Sequence, residues 1–495
     1  MLQLDRISDL IRFLLAQLHL ESLSRTHNRK ALRSALKALP KELNETYDES
    51  LKRIESQNSE DADLAKHVLS WISYARRPLD IEELQYAIAI VPGAKGVDEE
   101  AMTPKDLLIS VCAGLVILES RSQIVRLMHS TTQEYFGQHR SHLFPDADTL
   151  IGGACLAVLQ FEQFSPATMQ NITVLRSPHF YHYALEYWAD HIRGAAELIW
   201  DADLRRIVDS GIVSLIASTQ DIGAGVDIPA SPLHFAAAFG FSHFVVSLLN
   251  DPGRAVNFPS ARGRTPLHLA AARGHCNVLE RLLENGANCE IRDASGYTPL
   301  MVAVIEDEID AARLLLKAGA DIEVADDEGR TPLSAASWYG VKSAVRFLVK
   351  SGSALEVRDD QGLTPLSLAV QHEFYDISRI LVEAGANLET RDIDGRTPLV
   401  RAIDHFDKTS AQLLIELGAD LEALDDDGLT PLAVAVLNNN VSLVELLLKS
   451  GADVYRKDQD GTVVLSRIED GWIDDPDPRI RQLLSNSYVG SAQDE

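Results

Sequence analysis

Apolar and polar positions repeat with a fixed step of 33 residues through the second half of the chain. The string Thr-Pro-Leu recurs at this step, each time with a glycine two residues before it, and a second glycine series runs through the same region. The threonines are Thr265, Thr298, Thr331, Thr364, Thr397 and Thr430. Between them apolar residues follow helical spacing, as in Leu267, Ala270, Leu279 and Leu282. The pattern predicts a tandem array of helix pairs.

Each part of the repeating unit has a physical role. Thr265 is placed to cap the first helix, and Pro266 suits the first helical position, where a missing N–H costs nothing. Gly286 can end the second helix because glycine adopts a positive φ readily. Asp293 suits the turn that leads to the next unit. One unit cannot bury its apolar face alone, so neighbouring units are expected to stack.

We count seven units, and their helix motifs resemble those of the ankyrin repeat, which has Thr-Pro-Leu-His in the first helix and Gly-Ala-Asp after the second. They begin near Asp227, Arg262, Ser295, Glu328, Gln361, Asp394 and Asp427. The first has Ser231 in place of threonine, and a further start at Gly461 lacks the proline. With a helix over 478–484, that start predicts a C-terminal cap, and the tail from Ser485 is expected to be disordered.

The first half of the chain is helical in pattern, with one pair of strands. Helices are expected over 4–18, 26–39, 42–56, 61–74 and 106–113, and strands over 115–119 and 123–129. Asp80 and Glu83 have the spacing of a capping box, which begins a short helix that ends at Ile88. Helices followed by a two-stranded wing predict a winged-helix domain. The helix over 26–39 carries a basic stripe, which is either a solvated face or a docking face. Its residues are Arg25, Arg29, Lys30, Arg33 and Lys37.

Helical spacing returns between the wing and the repeats, over 150–161, 181–193, 195–199 and 204–215. Aromatic residues gather there, among them Phe180, Tyr183 and Trp188, and are expected to join the helices. Two His-x-x-His pairs, at His139 and His179, have no third ligand at a readable spacing, so no metal site is predicted. Gly223–Gly225 reads as the linker into the repeats.

Four strings of the first half resemble fungal NACHT-ankyrin proteins. They are Phe13-Leu14-Leu15-Ala16-Gln17-Leu18, Ala38-Leu39-Pro40-Lys41-Glu42-Leu43, Arg77-Pro78-Leu79 and His129-Ser130-Thr131-Thr132-Gln133-Glu134-Tyr135-Phe136. The resemblance covers the part that follows the NTPase core, a winged-helix segment similar to that of GPI inositol-deacylase. It implies a STAND-type signalling protein in which nucleotide exchange releases an effector.

The phosphate-binding loop of that family is absent from this sequence. Such a loop needs Gly-x-x-x-x-Gly-Lys-Ser/Thr, because backbone amides and the lysine together neutralise the phosphates. We therefore expect neither nucleotide nor any other cofactor. The gene has lost its core, the sequence is truncated, or the chain is a natural short adaptor.

The negative net charge of the chain limits the classes of partner that it can bind. The formal net charge is -27, and 18 of these charges lie after Asp227. Nucleic acid and anionic membranes require clustered positive charge, so the sequence argues against both and favours a protein partner that is basic or carries an apolar or aromatic anchor. The four cysteines have no paired spacing, and no apolar run is long enough to span a membrane. A cytoplasmic location is expected, and the nucleus remains open.

Residues that depart from the repeat at the concave face of the stack are free to serve recognition. We take the two positions that follow each motif threonine by seven and eight residues, and the position directly before each threonine. This selects Phe239, Arg264, Arg273, Tyr297, Glu306, Arg330, Trp338, Tyr339, His372, Arg396 and His405. Trp338 and Tyr339 with Tyr297 and Arg330 resemble an interface anchor. The alternative is that Trp338 fills the groove between neighbouring helices. His234 and His268 are expected to bond the capping turn.

Three functions follow from these residues. The first is a non-enzymatic interaction scaffold that recognises a protein through the concave face. The second is the regulatory half of a NACHT-type NTPase. The third is DNA binding by the winged helix, against which the net charge and the absence of a basic recognition helix over 81–88 both argue. No nucleophile elbow, zinc motif or dinucleotide fingerprint is present, so no catalytic residue is assigned.

The expected fold is mainly α, a winged-helix and helical module followed by an ankyrin-repeat α-solenoid. The expected boundaries are N-terminal helices over 1–58, a winged-helix-like domain over 59–145, a helical linker domain over 146–226, repeats over 227–486 and a disordered tail over 487–495.

Overall fold

The computed structural model describes residues 43–90, 102–161, 180–193, 197–209, 231–250, 255–457 and 477–490, with residues 97, 100, 459 and 461–463. The chain divides into two compact parts, Met1–Pro232 and Leu233–Glu495. The two helices predicted before residue 42, with their basic stripe, and the linker at 223–225 lie outside the described residues.

The N-terminal part is built from helices around a small sheet. Its described elements are α1 Leu43–Glu55, α2 Ser59–Tyr74, β1 Leu79–Asp80, α3 Ile81–Ala89, α4 Lys105–Ser110, β2 Val116–Leu118, β3 Ile124–Leu127, α5 Ser130–Leu143, α6 Ala147–Leu159, α7 Tyr181–Ile192 and α8 Glu197–Asp209. The predicted capping box is confirmed: Asp80 accepts from the N–H of Glu83, and the Glu83 carboxylate accepts from the N–H of Asp80.

The sheet has the order β1-β3-β2 and is antiparallel throughout. Strands β2 and β3 are the predicted wing, with Val116 opposite Leu127. Strand β1 was not predicted, because two residues that run directly into a helix cap are too few to show the alternation of a strand. It pairs Leu79 with Val125 and so fastens the start of α3 to the wing.

Two helices differ from the sequence-based expectation. Helix α5 was not predicted, because its sequence has no regular apolar stripe; it is held by tertiary contacts, with Tyr135 packed 5.2 Å from Tyr47 and Phe136 packed 5.9 Å from Phe144. The two helices expected over 195–199 and 204–215 are one helix, α8, whose described part ends at Asp209. Leu204 and Ile207 are buried one turn apart on the same face of α8. Their packing holds residues 200–203 in the helix, where the sequence analysis expected a break.

Aromatic side chains join α2 to α7, as the sequence predicted for this region. The Trp71 ring lies 5.2 Å from Phe180 and 6.1 Å from Tyr183. A chain of hydrogen bonds extends from the same place: the backbone N–H of Arg76 donates to the Tyr183 hydroxyl, which lies 2.9 Å from Nε2 of His191. Burial raises the pKa of Tyr183, so its hydroxyl stays protonated.

The C-terminal part is a stack of seven helix pairs, as predicted. The first helices are α9 Pro232–Phe239, α11 Pro266–Ala272, α13 Pro299–Ile305, α15 Pro332–Tyr339, α17 Pro365–Gln371, α19 Pro398–Asp404 and α21 Pro431–Leu437. The second helices are α10 Ser242–Leu249, α12 Cys276–Glu284, α14 Ile309–Lys317, α16 Lys342–Lys350, α18 Tyr375–Glu383, α20 Lys408–Glu416 and α22 Val441–Lys449. We number the pairs repeats 1 to 7. Each second helix packs on its equivalent in the next repeat, and each first helix does so from repeat 2 onward.

The final helix, α23 Pro478–Gly490, packs on α22 and buries Ile480 and Leu484. It is longer than predicted, because disorder was expected from residue 485 and the backbone stays helical to Gly490. Once a turn is anchored by buried residues, each further residue adds a hydrogen bond at little cost. Residues 491–495 lie outside the described part of the chain.

A ladder of glutamates links consecutive repeats. In each of five repeats one glutamate in the loop after the second helix accepts, through Oε1, the backbone N–H of a residue 31 positions later. The pairs are Glu290–Asp321 (3.0 Å), Glu323–Ala354 (2.8 Å), Glu356–Asn387 (2.8 Å), Glu389–Asp420 (2.8 Å) and Glu422–Asp453 (2.7 Å). Asn257 makes the same bond to Asn288 at the start of the series. The next equivalent position is Tyr455, which has no carboxylate.

Candidate protein-binding surface of the repeats

The threonine of each motif fixes where a first helix begins. In repeats 3 to 7 its Oγ1 accepts the N–H three residues on, at 3.2–3.4 Å. In repeat 2, His268 takes part instead: its Nδ1 accepts from the N–H of Thr265 (3.1 Å), and its Nε2 lies 3.0 Å from the carbonyl oxygen of Tyr297. Burial lowers the pKa of His268 to about 4. This histidine therefore stays neutral and structural, as predicted.

An aspartate in each turn that leads to repeats 3 to 7 positions the residue before the threonine, and Ser260 does so before repeat 2. Oδ1 of Asp326 accepts the N–H groups of Glu328 (2.9 Å) and Arg330 (2.8 Å), and its Oδ2 accepts from Nε of Arg330 (2.8 Å). Asp293, Asp359, Asp392 and Asp425 bond their own turns in the same way. The side chain before each threonine therefore starts from a rigid backbone.

Four of the predicted residues come together in repeats 3 and 4. The Tyr297 hydroxyl lies 3.1 Å from the Tyr339 hydroxyl and accepts from Nη2 of Arg330 at 3.3 Å. Arg330 also pairs with Glu328, and its guanidinium carbon lies 5.4 Å from the centre of the Trp338 ring. We call Tyr297, Arg330, Trp338 and Tyr339 the aromatic–arginine cluster.

Trp338 connects this cluster to repeat 5. Its ring meets the His372 ring edge to face, with centroids 4.1 Å apart, and His372 stacks 6.1 Å from Phe374. Burial, followed by the charge of His405, lowers the pKa of His372. Trp338 is half-buried and Tyr339 is 47% exposed. Trp338 thus fills part of the groove between repeats, as the alternative interpretation expected, and Tyr339 presents its ring to solvent. The role of both residues as an interface anchor stays a prediction.

The predicted binding residues differ in exposure. Glu306, Tyr339 and His405 are exposed, and Arg264, Arg273, Tyr297, Trp338, His372 and Arg396 are half-buried. Arg264 pairs with Asp293 of the next turn at 3.1 Å, and Arg396 pairs with Asp404 at 3.2 Å.

Two predicted residues lie elsewhere than expected. Phe239 is 3% exposed and packs against Phe235 and Phe241 at 4.9 Å and 6.1 Å, so it belongs to the core of repeat 1. Phe235, Phe239 and Phe241 bury one another in repeat 1. The 33-residue pattern does not reveal this packing, because no other repeat has all three phenylalanines. Arg330 is 9% exposed and holds the neighbouring rings in place, so it is a positioning residue and not an exposed anchor.

Phe406 was missed by the sequence analysis. It follows His405 directly, at the turn between α19 and α20, and is 59% exposed. Its φ is +59°, in the left-handed region that a bulky side chain rarely adopts. The equivalent residues in repeats 1, 2 and 4 are Gly240, Gly274 and Gly340. The signal that could have found it is a large apolar side chain at a position that otherwise holds Gly, Asp, Glu or Asn.

Carboxylates surround the end of the first helix in repeat 3. Glu306 and Asp307 are exposed, and Asp307 accepts from the Ser343 hydroxyl at 2.5 Å. Within the part of the chain that the structure describes, no lysine or arginine lies within ion-pair distance of either. Burial, and then the charges of Asp307, Glu306 and Asp310, raise the pKa of Glu308. This edge of the stack therefore carries uncompensated negative charge.

Two basic side chains close to the wing are paired with glutamates. The helix that directly precedes the wing is α4, Lys105–Ser110. Lys105 of α4 pairs with Glu82 at 2.8 Å, and Arg126 of β3 lies 3.5 Å from Glu119. The first turn of α3 carries Glu82 and Glu83.

The described part of the chain offers neither a metal site nor a membrane-spanning helix. Across the described residues, no three His, Cys, Asp or Glu side chains gather closely enough to hold a metal ion. In the same ranges no helix has the length and apolarity that crossing a membrane requires.

Comparisons with known proteins agree with this architecture. Residues 233–326, 319–392 and 384–458 match the family model described as ankyrin repeats, and residues 53–143 match that of the winged helix domain of GPI inositol-deacylase. The solved ankyrin repeat domain of Bcl-3, a member of the IkappaB protein family, is 31% identical and covers 45% of this chain and 99% of that one, with a TM-score of 0.42.

Curated relatives match parts of the chain. A protein of Monascus ruber, azaphilone pigments biosynthesis cluster protein L, is 26% identical over 300 residues, which are 53% of this chain and 63% of that protein. The human transient receptor potential cation channel subfamily A member 1 is 48% identical over 59 residues, 12% of this chain and 5% of the channel. The chain thus spans less than two thirds of the length of these relatives. It contains ankyrin repeats over 233–458 and, over 53–143, a segment of the GPI inositol-deacylase winged-helix type.

Proposed function

We propose that this chain is a non-enzymatic scaffold whose ankyrin repeats recognise a protein partner through the aromatic–arginine cluster. The observation that carries the proposal is the Tyr297–Tyr339 pair: their hydroxyls lie 3.1 Å apart, the buried Arg330 donates to Tyr297, and the Tyr339 ring is exposed to solvent. Tyrosine, tryptophan and arginine dominate the energy of protein interfaces because they bury much area with little loss of side-chain freedom.

Charge supports a partner with basic residues. The chain is strongly acidic, and the carboxylates of Glu306 and Asp307 lie in the repeat that precedes Tyr339. A basic partner would gain from this field in its rate of association and in its specificity. An apolar or aromatic side chain of the partner would gain from burial against the exposed Tyr339 ring.

The test is affinity capture by the full chain from extracts of cells that express it. The double variant Trp338→Ala/Tyr339→Ala should lose the captured protein, with a drop of about tenfold or more, since interface anchors are worth ~2 kcal/mol each. Tyr455→Ala, which removes an exposed aromatic ring in the loop after repeat 7, is the matched control and should capture as the wild type does. Equal capture by the double variant, with an unchanged circular dichroism spectrum, would refute the assignment.

The winged-helix match favours a second candidate, the regulatory half of a NACHT-type signalling NTPase. In that case the repeats would sense a ligand and a separate core would bind nucleotide. Sequencing of the transcript upstream of Met1 tests this. An in-frame Gly-x-x-x-x-Gly-Lys-Ser/Thr string would support it, and a stop codon with no such string would contradict it.

A further inference from the structure

We propose that the ends of the first helices in repeats 3 to 6 bind a proline-rich segment of a protein partner, in the polyproline II conformation, with lysine or arginine at its repeat 3 end. The residues concerned are Glu306, Tyr339, His372 and His405, one per repeat, which we call the helix-end row. The inference rests on the proposed function, because it names the chemistry of the partner for the same surface.

The chemistry of the row fits such a segment. Tyr297, Trp338, Tyr339 and His372 offer ring faces combined with groups that can form hydrogen bonds. A polyproline II segment has flat apolar rings and leaves its carbonyl groups without internal partners. Grooves lined by aromatic residues bind these segments because rings pack on the prolines while polar ring tips donate to the carbonyls.

The spacing of the row distinguishes between backbone conformations. First helices of neighbouring repeats pack side by side, as α15 and α17 do, and such helices lie about 8–10 Å apart. One turn of polyproline II has three residues and rises about 9 Å, so every third residue meets the next repeat on the same face. A β-strand rises about as far in three residues, but its side chains alternate between faces.

An α-helix is the remaining alternative. It needs about seven residues to advance by one repeat, and it docks best on a broad aliphatic groove. The helix-end row consists of aromatic and charged side chains, and no Leu, Ile or Val belongs to it. The composition therefore favours the polyproline II conformation.

Phe406 marks the far end of the row. The left-handed φ belongs to the turn, since Asp307, Glu373 and Asn439 share it at the equivalent positions, but in repeat 6 the turn carries an exposed aromatic ring. Because it follows His405 directly, Phe406 can cover the last proline of a bound segment. At the near end, Glu306 and Asp307 would attract the cationic residue.

The test uses synthetic fluorescent peptides with the full chain, read by anisotropy. The probe has about twelve residues, with proline at every third position and arginine at one end. Two comparison peptides keep the charge: in one the prolines are alanine, and the other forms an amphipathic helix. We expect the proline-rich probe to bind at least about tenfold more tightly than either.

Variants then locate the peptide. Tyr339→Ala and Phe406→Gly should each weaken binding by about tenfold. Glu373→Gly is the matched control for Phe406→Gly, because residue 373 has φ +60° at the equivalent turn of repeat 5, and it should leave binding unchanged. Glu306→Gln with Asp307→Asn should lower the affinity and reduce its dependence on salt.

Each outcome decides the matter. Equal binding of the alanine peptide, tighter binding of the helical peptide, no binding of the probe, or unchanged binding by Phe406→Gly overturns the inference. If these occur while Trp338→Ala/Tyr339→Ala still abolishes capture of the natural partner, the proposed function stands and the partner's segment has another conformation. If that double variant captures normally, the proposed function fails by its own test.

Discussion

At the scale of one residue, Phe406 is a position where stability and the proposed binding function are expected to respond in opposite directions. A side chain with a Cβ is strained at a φ of +59°, whereas glycine is not. The ring of Phe406 is mostly exposed, so removing it sacrifices little buried area. The position therefore allows a substitution that relieves strain without opening a cavity.

Replacing Phe406 by glycine should stabilise the repeats by about 1 kcal/mol, the cost of placing an L-residue in the left-handed region. A higher urea midpoint, followed by circular dichroism, is the expected result. Phe406→Ala keeps the Cβ and should show no comparable gain. A lower midpoint for Phe406→Gly would mean that the ring contributes to packing after all.

His268 makes the stability of repeat 2 depend on pH. Burial lowers the pKa of its ring to about 4, while in the unfolded chain it titrates near the ordinary value for histidine. Between these values the unfolded chain binds more protons than the folded one, so acid favours unfolding. The contribution of neutral His268 is complete above about pH 6.5 and is lost as the pH falls towards 4.

His268→Ser should reduce this loss. Serine occupies the equivalent positions 334 and 367, where its hydroxyl lies 3.2 Å from the capping threonine. We expect the fall in urea midpoint between pH 7 and pH 5 to be smaller in the variant than in the wild type. An identical slope in both proteins would show that His268 does not govern the acid sensitivity.

At the scale of elements, the helices of the repeats were predictable because their signals are local. A capping threonine, a proline at the first helical position and a glycine of positive φ all act within a few residues. Helix α5 and strand β1 were not predictable from local signals. Helix α5 is held by tertiary packing, and strand β1 is held by pairing with the distant strand β3. Phe239 was wrongly assigned to the binding surface. Its burial depends on the neighbouring rings of Phe235 and Phe241, and the repeat pattern gives no sign of that packing.

The glutamate ladder was also beyond the sequence analysis, since each bond joins a side chain of one repeat to the backbone of the next. It predicts that Glu389→Ala will destabilise the stack by about 1 kcal/mol, by leaving the N–H of Asp420 without its acceptor. Glu389→Gln keeps an oxygen at the same place and should retain most of the stability. Urea unfolding of both variants checks this, and equal midpoints for alanine and glutamine would dismiss the ladder as a source of stability.

At the scale of the whole molecule, the sequence was sufficient for the order of the two parts and for the number of repeats. It also selected Trp338 and Tyr339 as a candidate surface, because they break a regular pattern. It could not show that Arg330 lies beneath them, that Tyr297 bonds to Tyr339, or that Phe406 is exposed. Those facts depend on side-chain placement across repeats, and a periodic sequence indicates positions without indicating contacts.

The ladder also gives the stack a direction. Every glutamate reaches towards the repeat that follows it, and every following loop presents its N–H to the repeat before, so the two ends of a middle repeat are complementary. A duplicated 33-residue block inserted among the middle repeats would therefore find both of its partners ready. One appended after Tyr455 would meet a phenol where the other repeats offer a carboxylate or amide oxygen. The array can lengthen from within and is closed at its end.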